Sequence, residues 1–182
     1  MKVTVGTGPD SWGIWFPDDP KQIPWHRFLD EAVEAGYEWI ELGPYGYLPT
    51  NLQVLRSELE RRRLKVSASY VERHDLEDPA AWAALEVEVL QLAEVLAELD
   101  AKFFVLTDNV YTDLFTGQQR KGSRLDDTGW GHLIETVNKV ADLVRGRFGL
   151  QLVLHPHADT HIEYEGQIEF CLEQTDADRV SL

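Results

Sequence analysis

Short apolar runs alternate with helix-patterned stretches about every 30 residues along this chain, punctuated by Gly, Pro and Asn/Asp clusters. That alternation constrains the fold more than any other feature. The apolar runs are Val3–Val5, Trp39–Leu42, Lys65–Tyr70, Phe103–Thr107 and Leu150–His155, each short enough to be a strand. Between them, Trp25–Ala35 carries Phe28, Ala32 and Val33 at helical spacing, and Leu52–Arg63 follows Asn51, a residue type suited to capping a helix. Asp78-Pro79 opens the longest helix, Ala80–Leu99, along which Trp82, Leu85, Val89, Leu92, Leu96 and Leu99 step by three and four. Trp130–Val144 and Glu163–Glu173 complete the set, the last with Ile168, Cys171 and Leu172 on one face. The chain ends at Arg179-Val180-Ser181-Leu182, which reads as the opening of a sixth strand.

Strict βα alternation means a parallel sheet with right-handed crossovers, either an open doubly wound sheet or an arc of a (β/α)8 barrel. The 182 residues fall short of the roughly 250 of a usual barrel, which favours the open sheet. The first βα loop lacks GxGxxG and no P-loop occurs, which weighs against it. Charge narrows the partners: 32 acidic against 17 basic residues leave −15, a field that repels phosphate backbones, so no nucleic acid is expected. No apolar run approaches the roughly 20 residues that span a bilayer, and Met1–Pro9 has no signal-peptide layout, so no membrane is expected either. One cysteine, Cys171, forms no intrachain disulfide and reads as core; the expected compartment is the cytoplasm.

In either architecture the site lies at the carboxyl ends of the strands. The first loop there, Pro9–Phe16, holds Trp12 and Trp15, and the second holds Tyr47; aromatic walls of this kind suit either a lid or the apolar faces of sugar rings. Glu41 ends a buried strand, where a carboxylate is costly unless it is paired or used. Tyr70, Glu72 and His74 follow the third run, and Thr107, Asp108 and Asn109 the fourth. The densest signal is His155-Pro156-His157-Ala158-Asp159-Thr160-His161-Ile162-Glu163, whose imidazoles and carboxylates suit a divalent metal or proton transfer. His155 and His157, two apart in extended chain, point the same way. Arg120, Lys121 and Arg124 either clamp an anion or form a solvated loop, and the second reading is preferred because charged loops are ordinary.

Pro9-Asp10-Ser11-Trp12-Gly13, Trp39-Ile40-Glu41-Leu42-Gly43 and His155-Pro156-His157-Ala158-Asp159-Thr160 together resemble the sugar phosphate isomerase/epimerase superfamily. Its xylose-isomerase-like barrels include the inosose (2-keto-myo-inositol) dehydratases. The resemblance runs from Val3 to Leu182 and implies one domain, the N-terminal part of a (β/α)8 TIM barrel with about five and a half βα units present. It implies a divalent metal (Mn, Co, Mg, Zn or Fe), with Glu163 as the ligand from this chain and His155 as runner-up. The remaining ligands of the family have no positions here, so the resemblance implies a truncated member or a part of a longer chain. Homo-oligomers are common among such barrels. The implied chemistry is enediolate formation beside the carbonyl of a sugar or cyclitol, leading to isomerisation, epimerisation or dehydration. His155, His157 and Glu41 are the expected catalytic groups, and Trp12, Trp15, Tyr47, Tyr70 and Asp108 the expected substrate contacts. Two rivals remain: a non-catalytic partial barrel that binds a sugar or a partner chain, and a relative of the abasic-site endonucleases that share the barrel.

Overall fold

Three parallel strands organise the first of two units in this computed structural model, which describes residues 3–182. This unit takes in the chain to Tyr70 together with Glu94–Phe103, and the second unit takes Val71–Ala93 with Phe104–Leu182. The first strand, β1, is Gly6–Thr7 rather than Val3–Val5. Val3 and Val5 are 74% and 66% exposed, so their β propensity finds no face to bury. A Cβ on Gly6 would stand 3.0 Å from the Trp39 carbonyl oxygen, and glycine permits that close approach of backbones. β1 pairs with β2, Trp39–Glu41, and β2 with β3, Lys65–Ala68. The register runs Trp39↔Lys65 and Ile40↔Val66, then slips so that Glu41 faces Ala68. The extra residue is Ser67, whose hydroxyl donates to the Ile40 carbonyl at 3.1 Å.

Helix α1, Trp25–Glu34, buries Phe28, Leu29 and Ala32, while Val33, expected on the core face, is exposed. Helix α2, Leu52–Arg62, begins as anticipated at Asn51, whose side chain accepts the Val54 N–H at 3.1 Å, and it buries Leu55 and Leu59 one turn apart. Arg62 ties the two helices, its largely enclosed guanidinium donating to Asp30 at 2.6 Å and to Glu58.

The second unit is built on a four-stranded sheet, β4 (Tyr70–His74), β5 (Phe103–Asp108), β6 (Gln151–Leu154) and β7 (Val180–Ser181), in that spatial order. The expected third strand thus breaks at Ser69, whose buried hydroxyl donates to the Gly43 carbonyl, and resumes through Glu72 and His74, which were expected in a loop. β7 is the further strand foreseen at the chain's end, pairing parallel to β6 as Leu152↔Val180 and Val153↔Ser181. Helix α3, Trp82–Glu98, follows a 3-10 turn at Pro79–Ala81, which Asp78 caps by accepting the Ala80 N–H. Of its stripe, Leu85, Val89, Leu92 and Leu96 are fully enclosed, each worth about 1.5–3 kcal/mol relative to exposure. Helix α4, Asp127–Phe148, outruns the expected Trp130–Val144. Asp126 caps it by accepting the Gly129 N–H, and Arg145 and Arg147 in the last turn offset the partial negative charge of the helix end. Helix α5, Glu165–Glu173, buries Cys171, as read from sequence; Leu172 stays exposed, because only one narrow edge of this short helix faces the core.

Candidate functional site

The loop after β1 and the end of β2 line part of an open cavity of about 670 Å3 in the first unit, with Thr7, Asp10, Ser11, Trp39, Glu41 and Ser67 among its walls. Glu41 occupies the point where the β2–β3 register slips. Its pKa lies above the ordinary carboxylate value, first because burial disfavours the charge and second because Asp10 repels it. Tyr70 donates its hydroxyl to Asp10 Oδ1 at 3.2 Å, so Tyr70, Asp10 and Glu41 form one polar group. The sequence shows Asp10 only as part of the Pro9–Gly13 motif, and its closeness to Glu41 arises in the fold.

The expected aromatic wall is arranged differently. Trp12 Nε1 donates to Glu31 at 2.7 Å and its ring meets Phe28 edge-on at 5.0 Å, so it braces the first loop against α1. Tyr47 is buried, donates to the Ile23 carbonyl at 3.1 Å, and has its pKa pushed up to about 12 by burial and then by Glu31. Trp15 is 57% exposed. None of the three lines the cavity of Glu41.

In the second unit, Asp108 ends β5 with only 2% of its surface exposed. Expected to meet substrate, it is instead enclosed by protein donors: Oδ1 accepts the Leu76 N–H at 3.2 Å, and Oδ2 accepts the His161 N–H at 3.1 Å and faces His161 Nδ1 at 2.8 Å. His161, 1% exposed, turns its other ring nitrogen to the Gly122 carbonyl at 3.0 Å. Burial alone lowers the His161 pKa, but the Asp108 carboxylate, the Gly122 carbonyl and Glu77 outweigh it and hold the value above that of an ordinary histidine. Glu77 Oε2 lies 3.8 Å from His161 Nδ1 and is buried without a hydrogen-bond partner. Among the described residues, Glu77, Asp108 and His161 are the one group of three or more metal-ligating side chains whose donor atoms converge, all within 4.8 Å. Glu77 carried no sequence signal, and His161 was overshadowed by its neighbours in the histidine-rich stretch.

Lys121 contradicts both sequence readings of its loop. Its ammonium lies 2.6 Å from Asp75 and 2.8 Å from Glu77, so it is neither solvated nor available to an anion. Arg120 donates to the Thr112 carbonyl, and Arg124 is exposed.

His155 and His157 follow β6 on the exposed surface, their ring centroids 5.9 Å apart. His157 Nδ1 donates to the Ala158 carbonyl at 2.8 Å. Glu163, half-buried, accepts the Tyr111 hydroxyl at 3.1 Å and the Asp159 N–H at 3.2 Å through Oε2. Neither Glu163 nor His155, the two residues expected to bind metal, belongs to the converging trio.

Comparison with known proteins follows the same outline. A family model described as xylose isomerase-like TIM barrel matches residues 29–182. An inosose dehydratase of Bacillus licheniformis is 28% identical over 94% of this chain, which spans 58% of that relative's length. An inosose dehydratase of Lacticaseibacillus casei is 24% identical over the whole chain and 61% of its own length. Among solved structures, a xylose isomerase-like TIM barrel protein from Mycobacterium smegmatis in complex with magnesium superposes with a TM-score of 0.74 at 18% identity, covering 97% of this chain and 62% of that one. At that identity the superposition speaks to the fold alone.

Proposed function

The chain belongs to the xylose isomerase-like TIM barrel family, and from that premise we propose that it serves a barrel enzyme that removes a proton beside the carbonyl of a keto-sugar or keto-cyclitol. The observation that carries this reading is Glu41, a carboxyl with an upward-shifted pKa in the wall of a cavity of about 670 Å3. A cavity of this size falls within the range of about 300–1,000 Å3 usual for small-molecule sites. The shift makes the carboxylate a stronger base and raises the population of the protonated form that hands the proton on. Asp10, held by Tyr70, sustains the shift by repulsion. The hydroxyls of Thr7, Ser11 and Ser67 on the same wall match a ligand dense in hydroxyl groups.

Loss of a β-hydroxyl after proton removal gives a dehydratase, and return of the proton gives an epimerase or isomerase. The dehydratase branch with an inosose is the reading preferred, because the relatives in sequence carry that name. The family implies a divalent metal, which when bound would polarise the carbonyl. Glu163 supplies one oriented carboxylate, and among the described residues neither it nor His155 belongs to a group of three or more converging metal-ligating side chains. Turnover of 2-keto-myo-inositol by the whole protein tests the assignment. Glu41→Gln should lower it by about 10²–10⁴-fold with the fold intact by circular dichroism. Unchanged turnover would refute the role of Glu41.

A further inference from the structure

We propose that Glu77, Asp108 and His161 form a divalent-cation site in the second unit, with one imidazole nitrogen and two carboxylate oxygens as its protein ligands. The trio shares no residue with the wall of the Glu41 cavity, and the proposal does not depend on the activity proposed above.

Four observations lead there. The first is convergence from three separate segments: the turn after β4 gives Glu77, the end of β5 gives Asp108, and the loop after β6 gives His161. His161 Nδ1 is 2.8 Å from Asp108 Oδ2 and 3.8 Å from Glu77 Oε2. Bonds of about 2.0–2.4 Å to a common ion span such separations.

The second is the tautomer of His161. A carbonyl oxygen only accepts, so the 3.0 Å contact with Gly122 places a proton on Nε2. Nδ1 then faces the carboxylates, where without a cation it donates its own proton to Asp108 and where a divalent ion would take that proton's place. Ligating histidines characteristically present this arrangement, the far N–H anchored on a backbone carbonyl.

The third is the orphaned oxygen of Glu77. Its Oε1 is satisfied by Lys121 at 2.8 Å, while Oε2 is buried beside Asp108 and His161 with no donor. A buried carboxylate oxygen without a partner is costly, and a cation between it and Asp108 removes that cost.

The fourth is charge. Asp75, Glu77 and Asp108 bring three negative charges to this region and Lys121 brings one positive charge. With the His161 proton displaced, two negative charges remain, which a divalent ion neutralises. One imidazole with two carboxylates suits Mn2+, Fe2+, Co2+ or Zn2+ better than a thiolate-seeking ion. Lys121 acts as a positioning residue here, holding Glu77 by its other oxygen.

The purified chain, stripped with chelator and dialysed against Zn2+, should retain one tightly held ion per chain through this trio. Co2+ in its place should give visible d–d absorption. Glu77→Gln removes a charged ligand oxygen while keeping the shape of the side chain, and should weaken binding at least tenfold with an unchanged circular dichroism spectrum. Asp108→Asn and His161→Gln should abolish the cobalt signal, and Glu163→Gln should leave it as it is. Equal affinity in the wild type and Glu77→Gln would overturn the proposal, as would loss of the ion in Glu163→Gln alone. A 15N spectrum showing His161 protonated on both nitrogens in the presence of saturating Zn2+ would also overturn it, because a proton would then hold the place assigned to the metal.

Discussion

Replacing Gly43 by alanine should destabilise the chain by about 2–5 kcal/mol, a sum of two effects that can be separated. Gly43 follows β2 two residues after Glu41, with φ at 72°, where a Cβ costs about 1–2 kcal/mol from backbone sterics alone. That Cβ would also fall 2.5 Å from Cγ and 2.9 Å from Cδ of Pro9, a distance that atoms do not adopt. The Pro9 ring is buried and rigid, so relief requires the 3-10 turn Pro9–Trp12 to shift, at a further cost of about 1–3 kcal/mol typical of overpacking. Gly149, which ends α4 at the same φ of 72°, has nothing within 4 Å of its Cβ position. Gly149→Ala therefore carries the backbone cost without the collision. Urea unfolding monitored by tryptophan fluorescence should place Gly43→Ala well below Gly149→Ala. Equal midpoints would refute the tight contact between the turn that carries Asp10 and the segment that follows Glu41.

Two further outcomes are expected. Glu41→Gln should gain stability relative to the wild type as pH rises from 4 toward 8. The folded carboxyl resists ionisation above its ordinary value of 4.5 while the unfolded one does not, so the wild type loses stability as pH rises through the raised folded value. A stability difference that stays flat over that interval would contradict the burial and repulsion assigned to Glu41. Asn51→Ala should cost about 1 kcal/mol in chemical unfolding, since it strips the acceptor from the Val54 N–H, and Asn51→Asp should restore most of the loss.

The alternation of strands and helices was legible because each signal is local. Asn51 and Asp78-Pro79 announce helix starts by their own chemistry, and the stripe from Leu85 to Leu96 declares its buried face by spacing. Val3–Val5 misled for the complementary reason: strand propensity is local, whereas pairing partners and a face to bury are not, and the ladder forms at Gly6–Thr7. The break at Ser69 depends on a hydrogen bond to Gly43, which no window of sequence contains. The same divide runs through the candidate sites. Glu41 was visible because a carboxylate at the end of a buried strand is anomalous in itself, but Asp10 becomes its neighbour only in the fold. The cluster from His155 to Glu163 drew notice to His155 and His157, which are exposed, while the enclosed member is His161. Burial distinguishes them, and it is set by Asp108 and Glu77, residues far away along the chain.

Abstraction of a proton beside a carbonyl is common to dehydratase, epimerase and isomerase, so it is the step to measure. The whole protein, supplied with divalent metal, should be incubated with 2-keto-myo-inositol in D2O and the substrate followed by proton NMR. The account predicts loss of the signal of the hydrogen beside the carbonyl, by exchange or by elimination, and suppression of that loss in Glu41→Gln. A folded, metal-supplied protein that leaves this hydrogen untouched would contradict the account.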